Sequence, residues 1–477
     1  MNTPSEGPAA RTSKLPERCI LTWRSDGLCQ RMTSAINGLV IASEHNLDFR
    51  LAWPNTQSMK QRFNIDYTAP NDTPEDPCEI FAEAFLDKYF IEDEDIFYPP
   101  ELVRNRVNTQ TQLGREAIIM NTKADFNRAA ELKKSTGLMF GFLRKTPRQD
   151  PFFGLAPNIL NDELVPGYLA RCRAVARSGI FAPEIEQLLQ QSENMAELRD
   201  LWAVHLRSGD VVYGEVRKKF PRRMDFSISA PLATDFCNLA ARADKKCLVV
   251  SASKPDLESV QNRCANAVFA EQIDLPHLPG PFAVIRDASL ISQCGRIFSA
   301  EASAVVRLAN YLGSAEWVTN VDIYSKPSET HVLKTGLRKS VHTRHTKLQR
   351  AFINYNLFVL NWDTAAFLEL DGYLEKAFLC DRENLSYVVL RYLNCLAHSK
   401  YKRARKIRDK FSRLNGIEGR SLRIVRRNLK RNVGFYSKFM EAFLIHIYRQ
   451  ADLPDRECRM IGGWIEEKYS VSELATL

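Results

Sequence analysis

No stretch of this 477-residue chain approaches the ~20 uninterrupted apolar residues that a membrane-spanning helix requires. Residues Met1 to Pro16 also lack the apolar core of a secretion signal. The expectation is a protein made and kept in the cytoplasm. Paired cysteines are missing as well. The eleven cysteines fall singly between Cys19 and Cys458, with no C-x-x-C spacing that would gather zinc ligands or form a dithiol. They read as buried, reduced thiols.

What is present is ordinary globular material, 45% apolar and 26% charged, on a chain long enough for two or three packing units. Its net charge of +9 is local. From Lys400 to Arg431 fourteen Lys and Arg stand against Asp409 and Glu418, a surplus of twelve that exceeds the total for the whole chain.

Residues 1–16 carry Pro, Ser, Thr and Gly without periodicity and are predicted to be a flexible tail. A short apolar run ending at Trp23 meets the turn signal Ser25-Asp26-Gly27. Apolar residues at helical spacing follow from Leu28 to Val40, then a strand at Phe49 to Trp53 stopped by Pro54. This is a β-α-β opening. Residues 79–89 read as a helix, 117–120 as a weak strand, and 165–199 as helical. A second alternation begins with the strand Leu201 to Leu206. It continues through a helix at 234–244, a strand at Cys247 to Val250, a helix at 287–294, a strand at Arg296 to Phe298 and a helix near Ala304 to Leu312. Strands and helices alternating at this length predict a doubly wound parallel sheet. Beyond Lys326 the spacing is helical throughout. The expected domains are 17–195 and 196–325, both Rossmann-like α/β units, and an all-helical basic domain over 326–477.

Such sheets bind ligands at the carboxyl ends of their strands, where helix N-termini favour phosphate. Two places there stand out. In the first, Gly27 allows a tight turn into a helix whose first turns carry Gln30 and Arg31. The plain reading is a turn glycine and a solvated cation; the functional one is a cation facing an anion. In the second, His205-Leu206-Arg207-Ser208-Gly209-Asp210, strand alternation puts His205 and Arg207 on one face with Arg207 at the strand end. A guanidinium there can hold a diphosphate through two parallel hydrogen bonds, and Gly209 lets backbone N–H groups approach. The plain reading is a strand end with a surface Arg and a capped turn.

With these two places a resemblance emerges. Residues 27–54 resemble the N-terminal Gly-Leu-x-Asn/Gln-Arg helix and following strand of the fucosyltransferase-like superfamily. That superfamily includes α-1,2- and α-1,6-fucosyltransferases and protein O-fucosyltransferases. His205 to Asp210 is similar to its H-x-R-x-G-D motif. The stretch from Asp287 through Cys294 to Ser303 and Ala304 is similar to its segment in which an Asp opens a short apolar helix. The resemblance covers about residues 17–325 and implies two Rossmann-like domains in the GT-B arrangement. It implies inverting transfer from a guanosine diphosphate sugar, fucose from GDP-fucose in this superfamily's usual chemistry, with no metal or other cofactor. By position, Arg207 would bind the β-phosphate with His205 in support, Ser303 would contact phosphate or sugar, and Asp287 would orient the nucleotide. Gln30 stands where many members have Asn, and Ser208 where several have a second Arg.

The implied reaction is a single displacement at the anomeric carbon, in which a base takes the acceptor hydroxyl proton. Asp210 and Glu215 are the candidates, each with a capping or surface role as its plain alternative. Asp93-Glu94-Asp95 matches the Asp-x-Asp formula of metal-dependent transferases, but it lies in an acidic run without a long preceding strand and reads as a solvated face. His342 and His345 have ligand-like spacing without a Cys or acidic neighbour and read as structural.

The Lys400 to Arg431 window reads most plainly as helices with a solvated basic face. A functional reading gives it an anionic inner-membrane surface, with peripheral association, or a lipid-linked or polyanionic polysaccharide acceptor. Nucleic acid is the rival partner. The leading expectation is thus a glycosyltransferase acting on a glycan or polysaccharide. The alternative is a non-catalytic protein that binds nucleotide sugar or nucleic acid.

Overall fold

The computed structural model describes residues 18–23, 27–44, 48–53, 74, 76–91, 143–144, 167–214, 217, 227–276, 280–300, 303–338, 345–412, 443 and 445–447. The expected tail, the strand at 117–120, Asp93 to Asp95, Glu215, His342 and all of the basic window past Ser412 lie outside these residues. The chain is a mixed α/β protein divided into two compact units. Residues 1–200, 273–295 and 304–316 form the first, and residues 201–272, 296–303 and 317–477 the second.

In the first unit β1 (Arg18–Trp23) and β2 (Asp48–Ala52) pair in parallel and are joined by α1 (Leu28–Glu44), the β-α-β opening predicted from periodicity. Gly38 lets α1 lie close on the strands: a Cβ there would come within 2.5 Å of Phe49 Cε2 and closer still to Thr22 Oγ1. The helix expected from residue 79 starts later, as α2 (Glu83–Tyr89), because Phe81 is drawn into an antiparallel bridge with Phe181. β3 (Leu143–Arg144) pairs antiparallel with β1. The helical spacing over 165–199 is divided into α3 (Tyr168–Ala176) and α4 (Pro183–Asn194), with Gly179 at φ +74 and Pro183 opening the second helix.

The second unit opens with β4 (Trp202–Leu206), α5 (Ala230–Arg242), β5 (Cys247–Ser251), α6 (Lys254–Gln261) and β6 (Ala267–Phe269). The chain then contributes α7 (Ala283–Ser292) to the first unit, β7 (Arg296–Phe298) to the second, and α8 (Ala304–Leu312) to the first. In the first unit α8 brings Tyr311 to the buried Asn37 of α1, whose Oδ1 accepts from Tyr311 at 2.7 Å and from Tyr168 of α3. β8 (Glu316–Val318) completes a five-stranded sheet in the order β6-β5-β4-β7-β8, with β6, β5, β4 and β7 mutually parallel.

The remaining helices are α9 (Asn320–Ile323), α10 (Lys326–Arg338), α11 (Lys347–Asn361), α12 (Phe367–Cys380), α13 (Ser386–Ala397) and α14 (Tyr401–Ser412). The sequence suggested that they form a separate domain. In the structure they belong to the second unit, and Phe358, Leu374 and Leu393 join the same hydrophobic core as Val204, Val249 and Phe298 of the sheet. Gly336 marks how closely α10 meets α5, since a Cβ there would stand 2.6 Å from Pro231 Cγ.

Candidate functional site

The strand order of the second unit sets the site. From β4 the chain moves outward to β5 and β6, then returns to lay β7 and β8 on the other side of β4. The order therefore reverses between β4 and β7, and parallel α/β sheets form their ligand crevice outside the carboxyl ends of the strands at such a point. His205 is the penultimate residue of β4, Arg207 follows the strand directly, and Ser303 lies five residues past the end of β7. His205 Nδ1 and Ser303 Oγ are 3.1 Å apart, and both side chains are buried. Burial, with the charge of Arg207 adding to it, lowers the His205 pKa to about 3. The imidazole is therefore neutral across the physiological range. Arg207 is half-buried and Gly209 exposed.

Past Arg207 the backbone makes a π-type turn over Gly209–Tyr213, in which the N–H groups of Val212 and Tyr213 both donate to Ser208 O, at 2.8 and 3.2 Å. One buried carboxylate ties this turn down. Asp256, in the first turn of α6, accepts from Tyr213 Oη at 3.1 Å and from Gln349 Nε2 of α11 at 2.5 Å. Burial raises the Asp256 pKa, and the hydrogen bonds from Gln349 and Tyr213 act in the opposite direction. Asp256 was not legible in the sequence as a site residue. Its local signal, an acid after Pro255 at a helix start, reads as an ordinary dipole complement. Its link to Gln349 spans 93 positions and leaves no mark in local pattern.

His205, Arg207, Gly209 and Ser303 thus share the carboxyl edge of one sheet. Asp210 lies in the same π-type turn, and Glu215 is outside the described residues. The other predicted residues are in the first unit. Gly27 O accepts from the N–H groups of Gln30 and Arg31 at 3.0 and 3.3 Å as α1 begins. Arg31 is not a solvated cation: its side chain is buried, with the guanidinium 4.6 Å from the centroid of the Trp53 ring. Asp287, half-buried on α7, belongs to this unit too.

His345 is occupied structurally. Arg263 Nη2 donates to its Nε2 at 3.3 Å, which leaves the proton on Nδ1 to face Ser259 Oγ at 3.0 Å. Burial and the Arg263 charge lower its pKa to about 4. Among the described residues no three His, Cys, Asp or Glu side chains are grouped so as to hold a metal ion, and no helix is long and apolar enough to cross a membrane.

No family model matches the chain, and no curated protein does. Among solved structures it is similar to the NodZ alpha-1,6-fucosyltransferase co-crystallized with GDP, at 15% identity over 63% of this chain and 93% of that one, with a TM-score of 0.34. Fucosyltransferase NodZ from Bradyrhizobium gives 14% identity over 63% and 94%, with a TM-score of 0.36. NodZ soaked with GDP-fucose gives 16% over 62% and 93%, with a TM-score of 0.34.

Proposed function

We propose that the chain is a glycosyltransferase that takes its sugar from a nucleoside diphosphate donor held at the switch point of the second unit. The observation that carries this reading is the junction of the neutral His205–Ser303 pair with Arg207 at the end of β4. A neutral imidazole adds no second positive charge beside the guanidinium, so Arg207 supplies the cation at that edge. In the reaction, negative charge grows on the departing diphosphate. An Arg fixed at a strand end, with the exposed backbone of Gly209 beside it, is preorganised to receive that charge. Guanosine diphosphate fucose is the donor we put first, with inverting transfer to a glycan or polysaccharide hydroxyl, and with Asp210 or Glu215 as the base. We also assign Gln30 of the first unit to the acceptor side. The basic segment from Lys400 would hold the protein near an anionic membrane surface or a lipid-linked acceptor.

Calorimetric titration with guanosine, uridine and cytidine diphosphate sugars, with and without a chelator, tests this reading. Saturable binding of one donor is expected to survive chelation. Arg207→Ala should weaken that binding roughly ten- to hundredfold, as for removal of a charge-assisted contact worth ~1.5–3 kcal/mol, while the thermal unfolding profile stays in place. Donor binding that is equal in the parent and in Arg207→Ala would end the assignment.

A further inference from the structure

A second concave site lies far along the chain from these residues, in the helical part of the second unit. α10, α11 and α12 enclose a groove of about 480 Å³, within the usual range for small-molecule sites. Its rim carries three cations, Lys334 and Arg338 from α10 and Lys376 from α12. One carboxylate answers them: Glu369 pairs with Lys334 at 3.0 Å and accepts from Tyr373 Oη at 2.6 Å. Among the described residues no ion pair joins Arg338 or Lys376 to an acid.

Two features of the wall point to an occupant. Asn354 of α11 is 4% exposed; its Nδ2 donates to Arg350 O at 2.8 Å, while its Oδ1 is buried without a donor among the described residues. Buried acceptors are seldom left in this state, and a ligand hydroxyl would satisfy it once the amide turns toward the groove. Gly372 sits in mid-helix, where glycine is unfavourable. Gly38 and Gly336, also within helices, are there because a neighbour leaves no room for a side chain. Around Gly372 nothing lies within 4 Å of where a Cβ would be, so its missing side chain keeps the groove open. Leu368, 72% exposed, adds apolar surface.

We propose that this groove binds an anionic saccharide, a carboxylated or otherwise acidic sugar unit of a glycan. Such a ligand combines hydroxyl donors for Asn354 Oδ1, a negative group for Arg338 and Lys376, and the C–H face of a pyranose for Leu368. The site is built without any residue of the switch point, so it does not depend on the nucleotide-sugar reading.

The test is calorimetry without nucleotide, using a tetrasaccharide of galacturonic acid, its neutral methyl ester, and phosphatidylserine vesicles as separate probes. The acidic tetrasaccharide is expected to bind at least tenfold more tightly than the ester. Arg338→Ala with Lys376→Ala should remove that preference. Gly372→Leu, which fills the groove and favours the helix, should abolish binding in a chain that folds normally. Lys402→Ala, on the exposed face of α14, should change nothing. Failure of the acidic probe to bind, equal affinity for acid and ester, or unaltered binding in Gly372→Leu would overturn the proposal. So would a groove-dependent preference for the vesicles over the saccharide.

Discussion

The Nδ1 of His205 stands 3.1 Å from the Oγ of Ser303, joining the ends of β4 and β7 across 98 positions of sequence. Because burial and the Arg207 charge hold the His205 pKa near 3, the folded protein refuses a proton that the unfolded chain accepts at about pH 6.5. The unfolded state therefore gains as pH falls below that value, by up to ~1.4 kcal/mol per pH unit for this one group. His205→Asn removes this acid penalty. The variant is expected to be less stable than the parent at pH 7, with a deficit that shrinks at pH 5. Urea midpoints at the two pH values measure it, and an unchanged deficit would show that His205 titrates normally.

Asp256 holds the turn that follows Arg207, since Tyr213 from the turn and Gln349 from α11 both hydrogen-bond to its carboxylate. Asp256→Ala strands those donors, and each buried group left unsatisfied costs ~1–3 kcal/mol. The expected result is a marked loss of stability together with faster amide exchange at Val212 and Tyr213, whose N–H groups close the turn on Ser208 O. Asp256→Asn, which keeps an acceptor oxygen in place, should restore most of the protection. Exchange at Val212 and Tyr213 as slow in Asp256→Ala as in the parent would dismiss the anchoring role.

Why was part of this site readable in the sequence and part not? β4, β5 and β7 are short apolar runs bounded by polar turns, and the alternation of His205 with Arg207 follows from strand geometry alone. Periodicity also marks α7 and α8 as helices with one apolar face. It does not say which neighbour that face will meet, and both helices join the first unit although the flanking strands belong to the second. The same limit applies after Lys326, where helical spacing suggested a separate domain but Phe358 and Leu393 complete the core of the sheet. Arg31 shows the limit for a single residue, because its charge suggested solvent while Trp53, brought next to it by the fold, gives the guanidinium a buried face.

Gly38 offers a test of packing in the first unit. Its place against Phe49 and Thr22 leaves no volume for a methyl group, although alanine would favour the helix by ~1 kcal/mol. Overpacking of this kind costs ~1–3 kcal/mol. Gly38→Ala should therefore lower stability, and Gly38→Ala combined with Phe49→Leu should recover part of the loss. Thermal melts of the single and double variants decide the sign; a stabilised Gly38→Ala protein would mean that α1 stands farther from the strands than the structure has it.

Glu329 gives the opposite pH response to His205. It is buried in the first turn of α10, with Asn320 Nδ2 donating to its two oxygens at 3.1 and 3.2 Å. Burial raises its pKa to about 7 against the opposing effect of Asn320. A folded-state pKa above the ordinary 4.5 means that the folded chain holds a proton which the unfolded chain has released. The stability that this proton brings is complete below about pH 4.5 and is lost as pH rises through 7. Glu329→Gln keeps the shape and one acceptor oxygen for Asn320 without acquiring a charge. It should match the parent at pH 4.5 and exceed it at pH 8, by at most roughly 3.5 kcal/mol if the whole interval is expressed at ~1.4 kcal/mol per unit. Between pH 5 and 6.5 the His205 and Glu329 responses oppose each other, so the parent alone would show a nearly level profile. The variants separate them: with Glu329→Gln the fall in stability toward acid should steepen, and with His205→Asn the fall toward alkali should emerge. Urea titrations across pH 4.5–8 on both proteins provide the measurement, and parallel profiles for parent and Glu329→Gln would show that this carboxylate ionises as if exposed.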